Sequence, residues 1–380
     1  MTEQPARTPN EVTDMSRRGE WRRGLIRFAR YVAIRGIAVL VTVAVGVYVA
    51  IWVSQLGGYA DALRRNDIEG AVAMSFRGNE AYAAMSTSEK EAVMEQATIA
   101  AIHQAGLDRP FYQRSFKHLA EALSLTLGEV AGVMSHWGPA RSAREMLLES
   151  LPLTLVLFGT ANLVTFFGSL FLSLVLSRRY GSFLDRATVF LVPVLSAPPW
   201  LHGILLILVF AVIAGILPYG GIVDAPPPLT TFGYALSVLK HMILPVMAWV
   251  LGTIPLSIYV SRAFFLIHSA EDYVELAKAK GLRAHTLQRR YILRPVLPTV
   301  ITNFAFTLIV AWQGAILTEL VFNWPGMGRL LFEAIGAFEV PIIIGSVVIF
   351  AYLLALTVLV LDIVYALVDP RIRFGSGGNP

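Results

Sequence analysis

Cysteine is missing from all 380 residues of the chain. Without thiols the chain can form neither a disulfide framework nor a thiolate site for zinc or an iron–sulfur cluster. Charge is scarce as well, because Asp, Glu, Lys and Arg make up only 15% of the residues, against about 25% in an average soluble domain. With 56% of residues hydrophobic, the apolar surplus exceeds what a soluble core holds. The composition therefore predicts a membrane protein.

Motifs for catalysis and for nucleotide hydrolysis are also missing. The dipeptide Gly-Lys does not occur, so the chain has no GxxxxGK[ST] phosphate loop. The seven histidines are scattered and form no HExxH pair that could hold a metal. We expect no catalytic residue, no metal site and no cofactor bound by this chain. The net charge of +5 is explained by arginines beside membrane spans and not by nucleic-acid binding.

Six segments are long enough and free enough of charge to cross a bilayer as helices. They are residues 36–53, 151–176, 187–217, 241–261, 295–318 and 340–361. The consecutive prolines Pro198 and Pro199 should kink or break the third of them. The short alternating stretches of a β-barrel are absent from the sequence. The pattern predicts an all-α integral membrane protein with six transmembrane helices.

Arginine and lysine predict the orientation of these spans. They cluster before the first span, between the second and third, between the fourth and fifth, and after the sixth. The connections 219–240 and 319–339 carry only Lys240 and Arg329. Both termini should therefore be cytoplasmic. Residues 1–35 form a cytoplasmic tail in which an apolar stripe predicts an amphipathic interfacial helix, although a positive flank that only fixes topology explains the arginines equally well.

The long connection 54–150 reads as a helical extracytoplasmic insert between the first two spans. One helix should run from about residue 89 to 104, opened by a capping box of Ser88 and Glu91 and closed by Gly106. A second should begin after Pro110, with an apolar stripe formed by Tyr112, Phe116, Leu119 and Leu123. The insert could dock another protein or serve as a spacer packed on the bundle.

The connection 262–294 carries the most regular pattern in the chain. A helix over 272–280 should start at a box formed by Ser269 and Asp272 and end at Gly281, which supplies a left-handed cap. A second helical stretch over 284–293 should stop before Pro295 and Pro298. We expect the first helix to protrude from the membrane. Its exposed residues should be Tyr273, Val274, Ala277 and Ala279.

This segment carries a family resemblance. Asp272-Tyr-Val-Glu-Leu-Ala-Lys-Ala-Lys-Gly-Leu282 resembles the cytoplasmic loop of permease subunits of ABC importers of the dipeptide, oligopeptide and nickel class. The stretches 321–331, 369–373 and 106–110 are similar to that class as well, so the likeness extends from about residue 30 to the end. The chain departs from the usual pattern at Leu276, Pro295 and Pro298, and its segment 54–109 is longer than in typical members.

The resemblance implies a type I ABC importer permease fold in the bacterial inner membrane, forming half of a translocation pathway for di- or oligopeptides. The implied partners are a second homologous permease, two cytoplasmic ATPase subunits that use ATP and Mg, an extracytoplasmic solute-binding protein, the peptide substrate and membrane lipid, with no nucleic acid. The implied ATPase-coupling residues are Asp272, Tyr273, Glu275, Ala277, Ala279, Lys280, Gly281 and Leu282. Uncharged polar residues of the spans should line the path, namely Asn162, Ser196, Asn303 and Gln313.

Other functions stay open at this point. Nickel, sugars or opines are alternative substrates, because specificity in such systems resides largely in the binding protein. A partner-independent secondary carrier or channel would transport solute without ATP. A membrane enzyme would need a reactive constellation that the sequence does not display.

Overall fold

The computed structural model describes residues 9–55, 58–130, 133, 142–178, 181–195, 197–313 and 316–368. Most of these residues are helical, and the described part contains no β-strand beyond one isolated bridge between Glu129 and Ser142. The α-helices are α1 Pro9–Gln55, α2 Tyr59–Ser75, α3 Glu80–Ala83, α4 Thr87–Gln104, α5 Phe111–Leu123, α6 Ala143–Arg178, α7 Phe183–Leu195, α8 Pro199–Leu206, α9 Thr231–Ser269, α10 Asp272–Ala279, α11 Ala284–Thr286, α12 Arg294–Gln313, α13 Ile316–Val321, α14 Met327–Gly336 and α15 Val340–Val368. Two π-helical segments are described as well: π1 Ile207–Ile213 follows α8, and π2 Leu287–Leu293 lies between α11 and α12.

Four helices are long and apolar enough to cross a membrane in the described part of the chain. Their apolar stretches are Ala29–Val53, Ala143–Ser177, Thr231–Ser269 and Val340–Val364. Many of their large apolar side chains are exposed, as expected for helices whose solvent is lipid. The all-α prediction is confirmed. The amphipathic segment of the tail is continuous with the first span, because α1 runs through both without a turn.

The two remaining predicted spans consist of shorter pieces. Segment 187–217 is divided between α7, α8 and π1, and the break falls where the sequence predicted it: α7 ends at Leu195 and α8 begins at Pro199. Proline at the first position of a helix costs no hydrogen bond, since that N–H has no helical partner. Segment 295–318 contains most of α12 and the start of α13.

The helix stop predicted at Pro295 and Pro298 is wrong. α11, π2 and α12 follow one another directly, and the helical path runs through both prolines to Gln313. Pro295 lies in the first turn of α12, where an α-helix lacks partners for its N–H groups in any case. The wider π-helical turn before it changes the hydrogen-bond register, so the helix loses little at this point.

The described contacts divide the chain into two units. The first comprises Met1–Thr42, Thr154–Trp324 and Tyr352–Pro380. Its apolar core contains Leu206, Ala211, Leu244, Ala248 and Phe322. In this core α9 packs against α7 and α8, and α13 packs on α8.

The second unit comprises Val43–Leu153 and Pro325–Ala351. Here α2 packs on α4, and Gly345 of α15 leaves room for the side chains of Leu127 and Leu147, which an added Cβ would overlap. The predicted cap at Ser88 and Glu91 is wrong, because the capping box lies two residues earlier at Ser86 and Glu89. Both serines are followed three residues later by a glutamate, so spacing alone could not choose between them.

Candidate functional site

The short helix α10 lies between two turns. It begins at Asp272 and is followed by Gly281, whose φ of +73° is left-handed and favours glycine. The helix and its glycine cap are therefore confirmed. The predicted start box is wrong: Ser269 still belongs to α9 and its hydroxyl donates to the Leu266 carbonyl, while the N-cap residue is Glu271 and makes no side-chain cap hydrogen bond.

One face of α10 is covered by the chain itself. Val274 and Ala277 are buried, and α10 packs against π2. The predicted exposure of these two side chains is therefore wrong, because the 3.6-residue period places them together on the face that meets π2. Tyr273 and Leu276 are the exposed large hydrophobic residues of α10, with 40% and 59% of their surface accessible. The apolar surface open to a partner is thus formed by these two side chains.

The remaining predicted loop residues are at the surface or half-buried. Asp272, Glu275, Ala279 and Lys280 are exposed, as is Gly281, and Leu282 is half-buried. Burial, reinforced by the nearby negative charge of Glu271, raises the pKa of the Tyr273 phenol. The phenol therefore stays neutral and able to donate a hydrogen bond throughout the physiological range.

Behind α10, π2 is tied to a long helix. The side-chain amide of Gln288 donates to the Leu174 carbonyl of α6 over 3.1 Å. π2 also packs against α9 and α12. A displacement of α10 would therefore act first on π2 and then on three long helices.

A cavity of about 480 Å³ lies among these helices, within the first unit. Its polar lining comes from Asn162, Thr165, Ser169, Thr253, Ser257, Ser261 and Asn303. Its apolar lining includes Phe166, Phe304 and Trp249. Among the described residues that line it there is no charged side chain, so this part of the lining offers hydrogen bonds and apolar contact without fixing a charge.

Two polar atoms in this lining have no hydrogen-bond partner among the described residues. They are Oδ1 of Asn162 and Nε1 of Trp249. The Asn162 amide nitrogen donates to the Phe158 carbonyl, and the Trp249 ring packs edge-on against the Phe158 ring. A buried unpaired acceptor and donor are costly, so a conformation that pairs these two atoms or opens them to the cavity would be favoured.

The structure brings together only part of the predicted path. Asn162 and Asn303 line the same cavity. Ser196 lies outside the described residues, and so does the side chain of Gln313. Sequence reasoning missed Trp249, whose signal was a lone indole in an apolar span.

A buried carboxylate lies at the other end of α6. Glu319 of α13 is fully buried, and the Thr154 hydroxyl donates to its Oε1 over 2.6 Å. The same helix leads into Phe322, whose carbonyl accepts from the Gly221 N–H. The sequence placed Glu319 at a span end but did not predict its partner.

Comparison with known proteins identifies the group to which the chain belongs. The family model described as "Binding-protein-dependent transport system inner membrane component" matches residues 169–374. The di/tripeptide transport system permease protein DppB of Pseudomonas aeruginosa is 33% identical over 295 residues, which cover 72% of this chain and 84% of that protein. The dipeptide transport system permease protein DppB of Escherichia coli is 31% identical and covers 71% and 83%.

A solved structure is similar as well. One chain of the inward-facing MetNI methionine ABC transporter aligns with a TM-score of 0.45 and 17% identity, covering 59% of this chain and 96% of that one. The family match and the two permeases establish the resemblance first visible in the segment 272–282. This chain belongs to the family of inner membrane components of binding-protein-dependent transport systems.

Proposed function

We propose that the chain forms half of the membrane path of an ABC importer for di- or oligopeptides. The proposal rests on one observation: the chain is 33% identical in sequence to a di/tripeptide permease over 84% of that protein's length. A second, similar permease would complete the path. In this arrangement the chain has six spans, both termini are cytoplasmic, and the insert 54–150 is extracytoplasmic.

Energy would come from two ATPase subunits, which bind ATP and Mg, and substrate from an extracytoplasmic solute-binding protein. The chain's own contribution to coupling is the exposed face of α10. Because Val274 and Ala277 hold α10 against π2, force applied to Tyr273 and Leu276 would move α10 and π2 together. Gln288 would pass that movement to α6.

The cavity supports a peptide as the solute. A peptide carrier must accept many side chains, so its path should offer neutral polar groups and apolar surface instead of a single fixed charge. The lining has that character. The unpaired acceptor of Asn162 and the unpaired donor of Trp249 are buried in this conformation; in a conformation that opens them to the cavity they would match the N–H and C=O of a peptide bond.

Reconstituted uptake tests this proposal. The chain is purified with its partner permease and ATPases and placed in vesicles. ATP is supplied on the membrane face that carries the ATPases, and binding protein on the opposite face. We expect accumulation of a labelled dipeptide that requires ATP and every subunit. Uptake by the chain alone without ATP would instead establish a secondary carrier, and ATP-driven uptake of nickel, sugar or opine but not peptide would reassign the substrate.

A further inference from the structure

Helix α5 has a wider apolar face than the chain covers. At 100° per residue, its apolar side chains cover an arc of about 140° around the helix axis. This arc begins at Phe111, ends at Phe116, and includes Ala122, Leu119, Tyr112 and Leu123. Of these apolar residues only Ala122 is fully buried, and Phe111, Leu119 and Leu123 are half-buried. Tyr112 and Phe116 remain 59% and 67% exposed.

The position of α5 along α1 is fixed by specific contacts. The Phe116 ring stacks on Tyr48 with centroids 5.5 Å apart, and the Phe111 ring meets Trp52 edge-on at 5.1 Å. A hydrogen bond of 3.0 Å joins the Tyr48 hydroxyl to Ser115. The aromatic pairs place α5 beside the last two turns of the apolar stretch of α1, which ends at Val53.

A second set of contacts holds α5 in this orientation. The buried guanidinium of Arg114 donates to both carboxylate oxygens of Asp61 in α2, with the shorter contact at 2.6 Å, and to the Arg109 carbonyl. The exposed aromatic face therefore belongs to a helix that is anchored on two neighbours, and its contacts through Ser115 and Arg114 involve buried residues.

The depth of this face matches the edge of a bilayer. Tyr48 precedes Val53 by five residues, so its ring lies about 7.5 Å along the helix axis from the end of the apolar stretch. Interfacial helices bury their apolar faces about 5–10 Å into the boundary between headgroups and acyl chains. The same stretch of α1 exposes Val45, Val49 and Val53, so a lipid-facing surface continues from α1 onto α5.

We propose that α5 is an interfacial membrane anchor whose Tyr112 and Phe116 insert into the lipid leaflet at the Val53 end of α1. The polar residues of α5 agree with this placement, because Gln113 and Lys117 lie on the side away from the aromatic stripe and are exposed. Tyrosine is enriched at the membrane–water interface, and phenylalanine is among the residues that interfacial helices bury in it. The insert is thereby fixed to the bilayer at a second point besides its covalent connection to the spans.

Site-directed fluorescence tests the anchor, and the absence of native cysteine makes single-site labelling straightforward. Phe116→Cys and the matched control Lys117→Cys are labelled with an environment-sensitive dye. The full chain is placed in nanodiscs of phosphatidylethanolamine and phosphatidylglycerol, so that both membrane faces are open to solutes. Quenching is measured with brominated acyl chains and, separately, with iodide in water. Ile99→Cys on α4 is an exposed apolar control outside α5.

The anchor predicts strong quenching at position 116 by brominated lipid, with iodide quenching several-fold weaker than at positions 117 and 99. Equal iodide quenching at 116 and 117 would show that the face is open to water and would overturn the proposal. Protection of position 116 from both quenchers, in nanodiscs of the chain alone or with its partner permease or a binding protein, would show that protein covers the face and would overturn it as well. The result does not depend on which solute is transported.

Discussion

Asp185 at the start of α7 and Arg262 in the last third of α9 form a buried, bidentate ion pair. The Arg262 Nη2 lies 2.7 Å from Oδ2 of Asp185, and its Nε donates to Oδ1. The Gly181 N–H adds a further hydrogen bond to the same carboxylate. The guanidinium holds the pKa of Asp185 below its ordinary value. The pair joins α7 to α9 seven residues before α9 ends at Ser269.

Replacing one member of this pair should destabilise the chain more than replacing both. Arg262→Ala leaves the Asp185 carboxylate buried without its charge partner, and loss of one partner of a buried pair costs about 3–5 kcal/mol. We expect a lower thermal unfolding midpoint in detergent for each single alanine variant. The double variant Asp185→Ala with Arg262→Ala should be more stable than the Arg262→Ala chain. Additive losses in the double variant would contradict the pairing.

Asn162 should affect transport without affecting folding. Asn162→Leu replaces an amide whose Oδ1 is unpaired with an apolar side chain of similar size, so stability should change little. We expect reduced peptide uptake, with a raised half-saturating peptide concentration, at an unchanged unfolding midpoint. Trp249→Phe removes the unpaired donor and keeps an aromatic ring against Phe158. It should reduce uptake as well, and because Trp249 is buried the smaller ring should also lower the unfolding midpoint. Normal uptake by both variants would remove them from the path.

Gly220 should tolerate no side chain. A Cβ at this position would overlap the carbonyl oxygen of Phe322 and lie 2.8 Å from its carbonyl carbon, so the backbone after α13 would have to shift. Overpacking of this kind costs about 1–3 kcal/mol. We expect Gly220→Ala to lower the unfolding midpoint. Gly159→Ala is the matched control, because nothing lies within 4 Å of its added Cβ, and equal midpoints for the two variants would refute the contact.

The insert should loosen in acid. The hydrogen bond from Arg114 holds the pKa of Asp61 below its ordinary 3.8, against the opposing effect of burial. A carboxylate with a lowered pKa stabilises the fold fully above the unfolded-state value, and this contribution is lost as the pH falls through the folded-state value. We therefore expect stability of the α2–α5 contact to decline below about pH 4.

Pepsin, which is active in acid, can measure this change. The rate of cleavage within the insert, normalised to the rate for denatured chain at the same pH, should rise as the pH falls below 4 in the native sequence. Asp61→Asn should be cleaved faster at pH 4 and show a flatter dependence on pH, because its side chain does not titrate. Identical pH profiles for the two chains would exclude Asp61 as the titrating group.

Local signals in the sequence predicted where helices begin and end better than they predicted which side of a helix is buried. Pro198–Pro199 and Gly281 act through backbone geometry that is independent of the rest of the fold, and both breaks lie where they were expected. The buried face of α10 could not be predicted, because it is determined by π2, whose π-helical winding has no clear sequence signature. The stop predicted at Pro295 failed for the same reason.

Contacts between residues that are far apart in the sequence could not be predicted either. Asp185 and Arg262 are 77 residues apart, and the sequence showed Arg262 only as one of several basic residues that indicate orientation. A signal existed, since a lone carboxylate and a lone guanidinium each border an apolar segment, but no single sequence specifies which charges meet. The unpaired atoms of Asn162 and Trp249 are likewise visible only after the helices are packed.

In the proposed mechanism the exposed face of α10 couples the chain to an ATPase. ATP-dependent peptide uptake by vesicles containing Leu276→Asp, compared with the surface control Ile99→Asp at equal abundance, tests it most directly. Both leucine and isoleucine are 59% exposed, so neither change should unfold the chain. The account predicts that Leu276→Asp loses uptake and co-purification with the ATPases while Ile99→Asp retains both. Normal uptake by Leu276→Asp would contradict the coupling role of α10.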